Sequence, residues 1–123
     1  MQRAFVLEDN HSMRILLCAL LAKLDFEVTA AGSVREARQL LETIPAPEIA
    51  LLDYHLPDGR GLEIAMLLRE RFGSKVQIIS VSAGDMELEE SWDLQERKSY
   101  DKIARKPATI KQLEGIISIP GDT

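Results

Sequence analysis

The run Ile49-Ala-Leu-Leu-Asp53 constrains this chain more than any other stretch. Pro45 and Pro47 bound it on one side, and Pro57, Gly59 and Gly61 on the other. A short apolar run between turn signals reads as a strand buried on both faces. Such a strand belongs in a parallel sheet between two helix layers. The run ends on a carboxylate, Asp53. Aspartate often opens a turn, and taken alone Asp53 needs no other reason to be there. In open α/β sheets, however, ligands sit outside the carboxyl ends of the strands. Asp53 stands at such an end, with a loop just beyond it.

The rest of the chain supplies the other elements. Residues 4–7 form a first apolar strand that ends on Glu8-Asp9-Asn10. Met13, Leu16, Leu17, Leu20, Leu21 and Leu24 recur at helical spacing and predict a helix over 12–24, capped by Asn10 or Ser12. Residues 27–31 read as a strand less apolar than the first, hence nearer an edge. Ser33-Val-Arg-Glu36 has the pattern of a capping box. It opens a helix to about residue 43 with Val34, Ala37, Leu40, Leu41 and Ile44 as its stripe. The third strand, 48–53, is followed by a helix over 62–72. Leu62, Ala65, Met66, Leu68 and Phe72 are its expected core residues, and Gly73 suits its end.

Residues 76–81 are a β-branched strand, and 86–99 a polar helix whose few anchors are Leu88, Trp92 and Leu94. A weak, charged fifth strand over 101–105 runs into Lys106-Pro107. Thr109-Ile-Lys-Gln112 is a second capping box, opening a last helix with Ile110, Leu113, Ile116 and Ile117 on one side. Strands alternating with helices of this length imply a parallel sheet covered on both faces. Right-handed crossovers then leave few topologies.

At 123 residues a single domain is expected, and a hydrophobic share of 46% is ample for its core. A formal net charge of −5 argues against nucleic acid as a direct partner, since phosphate binding wants a basic face. The longest apolar run, residues 15–22, is far too short to span a bilayer. The chain opens on a strand-like segment rather than a leader, so a cytoplasmic location with no membrane partner is expected. Cys18, the single cysteine, sits in an apolar helical run and reads as a small buried hydrophobe.

In a parallel sheet all strands point one way. Glu8 and Asp9 after the first strand, Asp53 after the third, Ser82 after the fourth and Lys106 after the fifth therefore converge on one edge. Singly, each has a bland reading: a polar turn, a turn serine, a solvated lysine. Jointly they make a site. Carboxylates gathered there repel one another and stay ionised only if a cation holds them. Oxygen ligands with room for water suit Mg²⁺. A hydroxyl and an ammonium are left to bind an anion. These are parts for phosphoryl transfer, in which a carboxylate can itself be the nucleophile.

Glu8-Asp9, Leu51-Leu52-Asp53, Leu56-Pro57, Gly61, Val81-Ser82-Ala83 and Lys106-Pro107 together resemble the signature of response-regulator receiver domains, the CheY-like family. The resemblance covers essentially the whole chain, with residues 1–119 as the domain and 120–123 as a tail or linker. It implies a flavodoxin-like, doubly wound five-stranded sheet in the order 2-1-3-4-5, flanked by five helices. It implies that Asp53 accepts a phosphoryl group from the phosphohistidine of a histidine kinase or phosphotransfer protein. Glu8, Asp9, Asp53 and the backbone carbonyl of His55 would hold Mg²⁺. Lys106 and Ser82 would each engage a phosphoryl oxygen. The bond between Lys106 and Pro107 would be cis. The output would be a switched face read by a downstream protein or a fused effector domain, with a dimer left open. The domain would be a phosphoacceptor switch rather than an enzyme acting on other molecules.

Three positions depart from the family pattern. Glu8 stands where aspartate is commoner, Ile103 where an inward-turning aromatic is usual (Tyr100 is three residues off register), and Ala108 where an aromatic is common. These departures keep a second reading open: a pseudo-receiver that binds partners without phosphorylation. His55 is expected to face solvent, where it would bear on acyl-phosphate lifetime. A dehalogenase-type hydrolase lacks its Asp-x-Asp after the first strand. A nucleotide-binding loop of the G-x-x-x-x-G-K-[ST] type is absent.

Overall fold

A computed structural model describes residues 2–82 and 98–117 of the chain. In chain order its elements are β1 (Gln2–Leu7), α1 (His11–Lys23), β2 (Phe26–Ala31), α2 (Val34–Leu41), β3 (Ile49–Asp53), β4 (His55–Leu56), β5 (Gly59–Arg60), α3 (Gly61–Phe72), β6 (Gln77–Ser82), β7 (Lys102–Arg105) and α4 (Ile110–Ile116). A short 3₁₀ turn, Gly73–Lys75, follows α3. The main sheet is parallel, in the order β2-β1-β3-β6-β7. The two-residue strands β4 and β5 form a separate antiparallel hairpin. Without that hairpin the order is the 2-1-3-4-5 of a doubly wound flavodoxin-like fold. The polar helix expected over 86–99, with Leu88, Trp92 and Leu94, falls mostly on residues outside the described ones.

Burial explains the arrangement. All residues of β3 are buried, as its unbroken apolar run requires of a central strand. The less apolar β2 lies at the edge, paired with β1. Two clusters cover the sheet's faces. One packs Phe5, Leu7, Ala50, Leu52 and Ile78 under α2 and α3. The other packs Val6, Leu51, Ile79 and Val81 under α1 and α4. Cys18 is half-buried against the second cluster, and burial raises its thiol pKa, which leaves it a weak nucleophile.

Three local expectations are corrected. Met66 is 51% exposed, not core. The buried arc of α3 runs from Ile64 through Leu68 and Ala65 to Leu62. The offset of four residues carries Met66 about 40° past Leu62 and out of that arc. The two capping boxes are also shifted. Ser33 Oγ accepts the Glu36 N–H at 3.1 Å, and Thr109 Oγ1 accepts the Gln112 N–H at 3.1 Å. The reciprocal oxygens of Glu36 and Gln112 instead accept the N–H one residue before the cap, from Gly32 and Ala108, each at 2.7 Å. For α1 the cap is Asn10, whose Oδ1 accepts the Met13 N–H at 2.9 Å.

Because Ile64 is fully buried and Met66 is not, alanine at the two positions should act differently. Ile64→Ala should lower the unfolding free energy by about 2–5 kcal/mol. Met66→Ala should stay within about 0.5 kcal/mol. Denaturant midpoints of the two variants check this.

Candidate functional site

The register of the sheet builds the site. Leu7 pairs with Leu52 and with Ala31, Asp53 with Val81, and Ser82 with Arg105. The carboxyl ends of β1, β3, β6 and β7 thus come level. Two backbone bonds extend the ladders one residue further: Glu8 N–H to the Ala31 carbonyl at 3.0 Å, and Lys106 N–H to the Ser82 carbonyl at 2.8 Å. They fix the backbone from which Glu8 and Lys106 project.

At this edge the Lys106 ammonium lies 2.5 Å from Glu8 Oε1 and 3.3 Å from Asp53 Oδ2. Glu8 is fully buried and Asp53 nearly so, while Asp9 is exposed. Glu8 Oε2 accepts the Asn10 N–H at 3.2 Å, and the Arg14 guanidinium donates to the Glu8 carbonyl at 2.9 Å. Burial pushes the Glu8 carboxyl above its usual range against the hydrogen bonds from Lys106 and Asn10, and the Asp53 charge adds to the rise. Burial alone would lower the Lys106 ammonium, but its hydrogen bond to Glu8 and the charges of Asp53 and Glu8 outweigh that and raise it. Lys106 is therefore firmly cationic.

One oxygen from each of Glu8, Asp9 and Asp53 falls within 4.8 Å of the others. Three carboxylates this close, with oxygen donors alone and one face open at Asp9, are the donor set of a hard divalent cation. The residues fit Mg²⁺, and the longer arm of Glu8 still reaches the cluster. A cavity of about 360 Å³ opens beside Lys106, lined by Asn10, Ser12, Met13 and Leu16. A second, of about 190 Å³, lies among Arg3, Glu27, Thr43 and Pro47 and contains none of the site residues.

The loop from Asp53 to Gly61 is tightly built. Gly61 N–H donates to the Tyr54 carbonyl at 2.8 Å. A Cβ at Gly61 would collide with the Asp53 carbonyl, so the close return of the chain needs glycine there. The His55 side chain is exposed, as expected, with its ring edge-on to Tyr54 at 4.8 Å between centroids. Sequence reasoning missed Asp58, at the tip of this loop. Its Oδ1 and Oδ2 accept the N–H groups of Val34 and Arg35, each at 2.9 Å. Those two bonds hold the Asp58 carboxyl below its usual range. Twenty-four and twenty-three residues separate the partners, so no local pattern could reveal the contact.

The expected cis bond at Lys106-Pro107 is not found: every described peptide bond is trans. The two forms differ by only about 0.5–1 kcal/mol at proline, so the surrounding contacts decide. In the trans form Lys106 keeps its bonds to Ser82, Glu8 and Asp53. Ser82 is half-buried at the end of β6, and residues 83–97 after it lie outside the described ones. Ile103 is half-buried, paired with Ser80, and Tyr100 is buried in the cluster under α2 and α3.

The model of the response regulator receiver domain matches residues 4–117. The chain belongs to this family. It is 33% identical over 113 residues to the sensory transduction protein RegX3 of Mycolicibacterium smegmatis, covering 92% of this chain and 47% of that protein. It is 33% identical over 73 residues to the DNA-binding transcriptional activator DevR/DosR of Mycobacterium tuberculosis, covering 58% and 33% respectively. Its fold superposes with TM-score 0.79 on the response regulator TrrA of Thermotoga maritima, solved with Mg²⁺–BeF, at 24% identity and over 94% and 96% of the two chains. The chain spans less than half the length of the curated relatives it matches. Their names give no support to the expectation that nucleic acid is not a partner. No described helix of this receiver domain is long and apolar enough to cross a membrane.

Removing the lysine isolates a buried acid. Lys106→Ala should cost about 3 kcal/mol at neutral pH without metal. The deficit should shrink as pH falls. Glu8 binds its proton more tightly folded than unfolded, so stability is lost as pH rises from 4.5 through the folded value. Without its counter-ion that value climbs and the window widens. Unfolding free energies of both proteins across this range check the sign.

Proposed function

We propose that this receiver domain is a phosphoacceptor switch. Asp53 takes a phosphoryl group from the phosphohistidine of a kinase or phosphotransfer protein. What supports the reading is the Lys106 ammonium seated between Glu8 and Asp53, at 2.5 Å and 3.3 Å, on the edge where Asp9 joins them. An Asp53 carboxylate oxygen attacks phosphorus in line, the P–N bond breaks, and its electron pair stays on the ring nitrogen, the ring leaving as neutral imidazole with the proton its other nitrogen already carries. Lys106 neutralises charge on one phosphoryl oxygen and Ser82 donates its hydroxyl to another. Glu8, Asp9, Asp53 and the His55 carbonyl would hold Mg²⁺, which when bound offsets the charge gathered between carboxylates and phosphoryl group. The aspartyl phosphate then reorganises the partner-binding face read downstream. TrrA, a relative in fold, is itself solved in complex with Mg²⁺–BeF.

Incubation with a small acyl phosphate should add one phosphoryl group to the intact chain, seen by mass, only when Mg²⁺ is present. Asp53→Asn should remove the adduct and Lys106→Ala should lower its yield at least tenfold. An adduct that persists in Asp53→Asn, or none in the wild type, would contradict the assignment.

A further inference from the structure

The tip of the loop after β3 is tied to the start of α2. The N-terminus of α2 presents four N–H groups that no helical carbonyl can reach. Ser33 takes one, that of Glu36. Two others, on Val34 and Arg35, are taken by the two oxygens of Asp58, each at 2.9 Å. A single carboxylate from another element thus takes two of the four, and its negative charge sits at the positive end of the α2 dipole. The loop itself closes over this contact. His55 pairs with Arg60 and Leu56 with Gly59, so Asp58 occupies the turn of the hairpin. A Cβ added at Gly59 would meet Glu63 Oε2 of α3 at 2.5 Å and Val34 Cγ2 of α2 at 3.2 Å, so the turn lies close to both helices. At its root the loop is fixed by Asp53 and by the Gly61–Tyr54 bond. Along the hairpin, Arg60 N–H donates to Glu63 Oε2 at 2.9 Å and Leu56 packs on the core, while at the turn itself Asp58 takes the two bonds from α2.

We propose that Asp58 is a positioning residue: by capping α2 with both oxygens it fixes the loop that carries the His55 carbonyl, and so sets how tightly the carboxylate cluster takes Mg²⁺. The inference rests on the phosphoacceptor reading for the role of that carbonyl, and goes beyond it in giving the loop's tip an anchor. Groups that orient a metal's ligands change affinity without touching the metal, by roughly ten- to a hundredfold. Asp58 holds the ligand-bearing backbone in that way.

The test compares three variants of the whole chain by Mg²⁺ titration, with hydrogen exchange of the backbone amides in the metal-free protein. Asp58→Ala removes both cap bonds and frees the tip. Ser33→Ala removes a cap bond from the same helix without touching the loop, and controls for loss of α2 stability alone. Asp58→Asn keeps one acceptor oxygen. The expected result is a Kd for Mg²⁺ raised roughly tenfold in Asp58→Ala, partly restored in Asp58→Asn and unchanged in Ser33→Ala. The amides of residues 55, 56 and 58–60 should exchange faster in Asp58→Ala alone. Equal Kd values for Asp58→Ala and Ser33→Ala, with wild-type binding intact, would overturn this inference and leave the phosphoacceptor reading standing. A wild-type chain that binds no Mg²⁺ would overturn both, and the exchange data would then report whether the tip is anchored at all.

Discussion

One ammonium, Lys106 Nζ, holds the edge of this sheet together. Glu8 is fully buried and Asp53 nearly so, and two carboxylates in that position repel each other and lose their hydration. Lys106, against both, compensates them. A buried pair of this kind adds little net stability, yet breaking it leaves an uncompensated charge. The sheet is therefore committed to one register. A slip of one residue in β1, β3 or β7 would turn each of these side chains to the opposite face. The weakest strand, β7, carries the lysine, and it is held by the Lys102 ammonium on the Ile116 carbonyl at 2.8 Å and by Asp101 on the Ile78 N–H at 2.7 Å.

The same constraint shapes the loop beyond β3. A site of like charges must be closed by backbone that cannot drift, and the chain meets this with a glycine at its root and a carboxylate at its tip. Gly61 lets the chain return against the Asp53 carbonyl, and Asp58 directs its charge to α2 rather than to the cluster. The acidic residues around the edge thus divide by geometry. Glu8, Asp9 and Asp53 face one another, whereas Asp58 faces a helix terminus.

Most of the architecture was legible from patterns local in the chain. The helical stripes have the 3.6 period that the backbone imposes, and the unbroken apolar run to Asp53 and the polar residues closing four of the strands are equally local. The strand order required the family resemblance, since it depends on pairings between distant segments. What escaped was tertiary or marginal. Asp58 reaches across more than twenty residues. Met66 sits just past the edge of a buried arc, where helical spacing alone does not separate core from surface. Glu36 and Gln112 chose the N–H before the cap, a shift of one residue that both oxygens can make. The isomer at Pro107 turns on an energy difference too small for sequence to decide. Ile103, in place of an aromatic, is half-buried and packs against the cluster holding Tyr100.

The most direct test is a Mg²⁺ titration of the metal-free chain followed by backbone amide shifts. A site built on Lys106 and three carboxylates predicts a saturable response concentrated at residues 8–9, 53–56 and 106. A response that never saturates, or one scattered over surface carboxylates such as Glu42 and Glu70, would contradict the claim that this edge is built to gather charge around a cation.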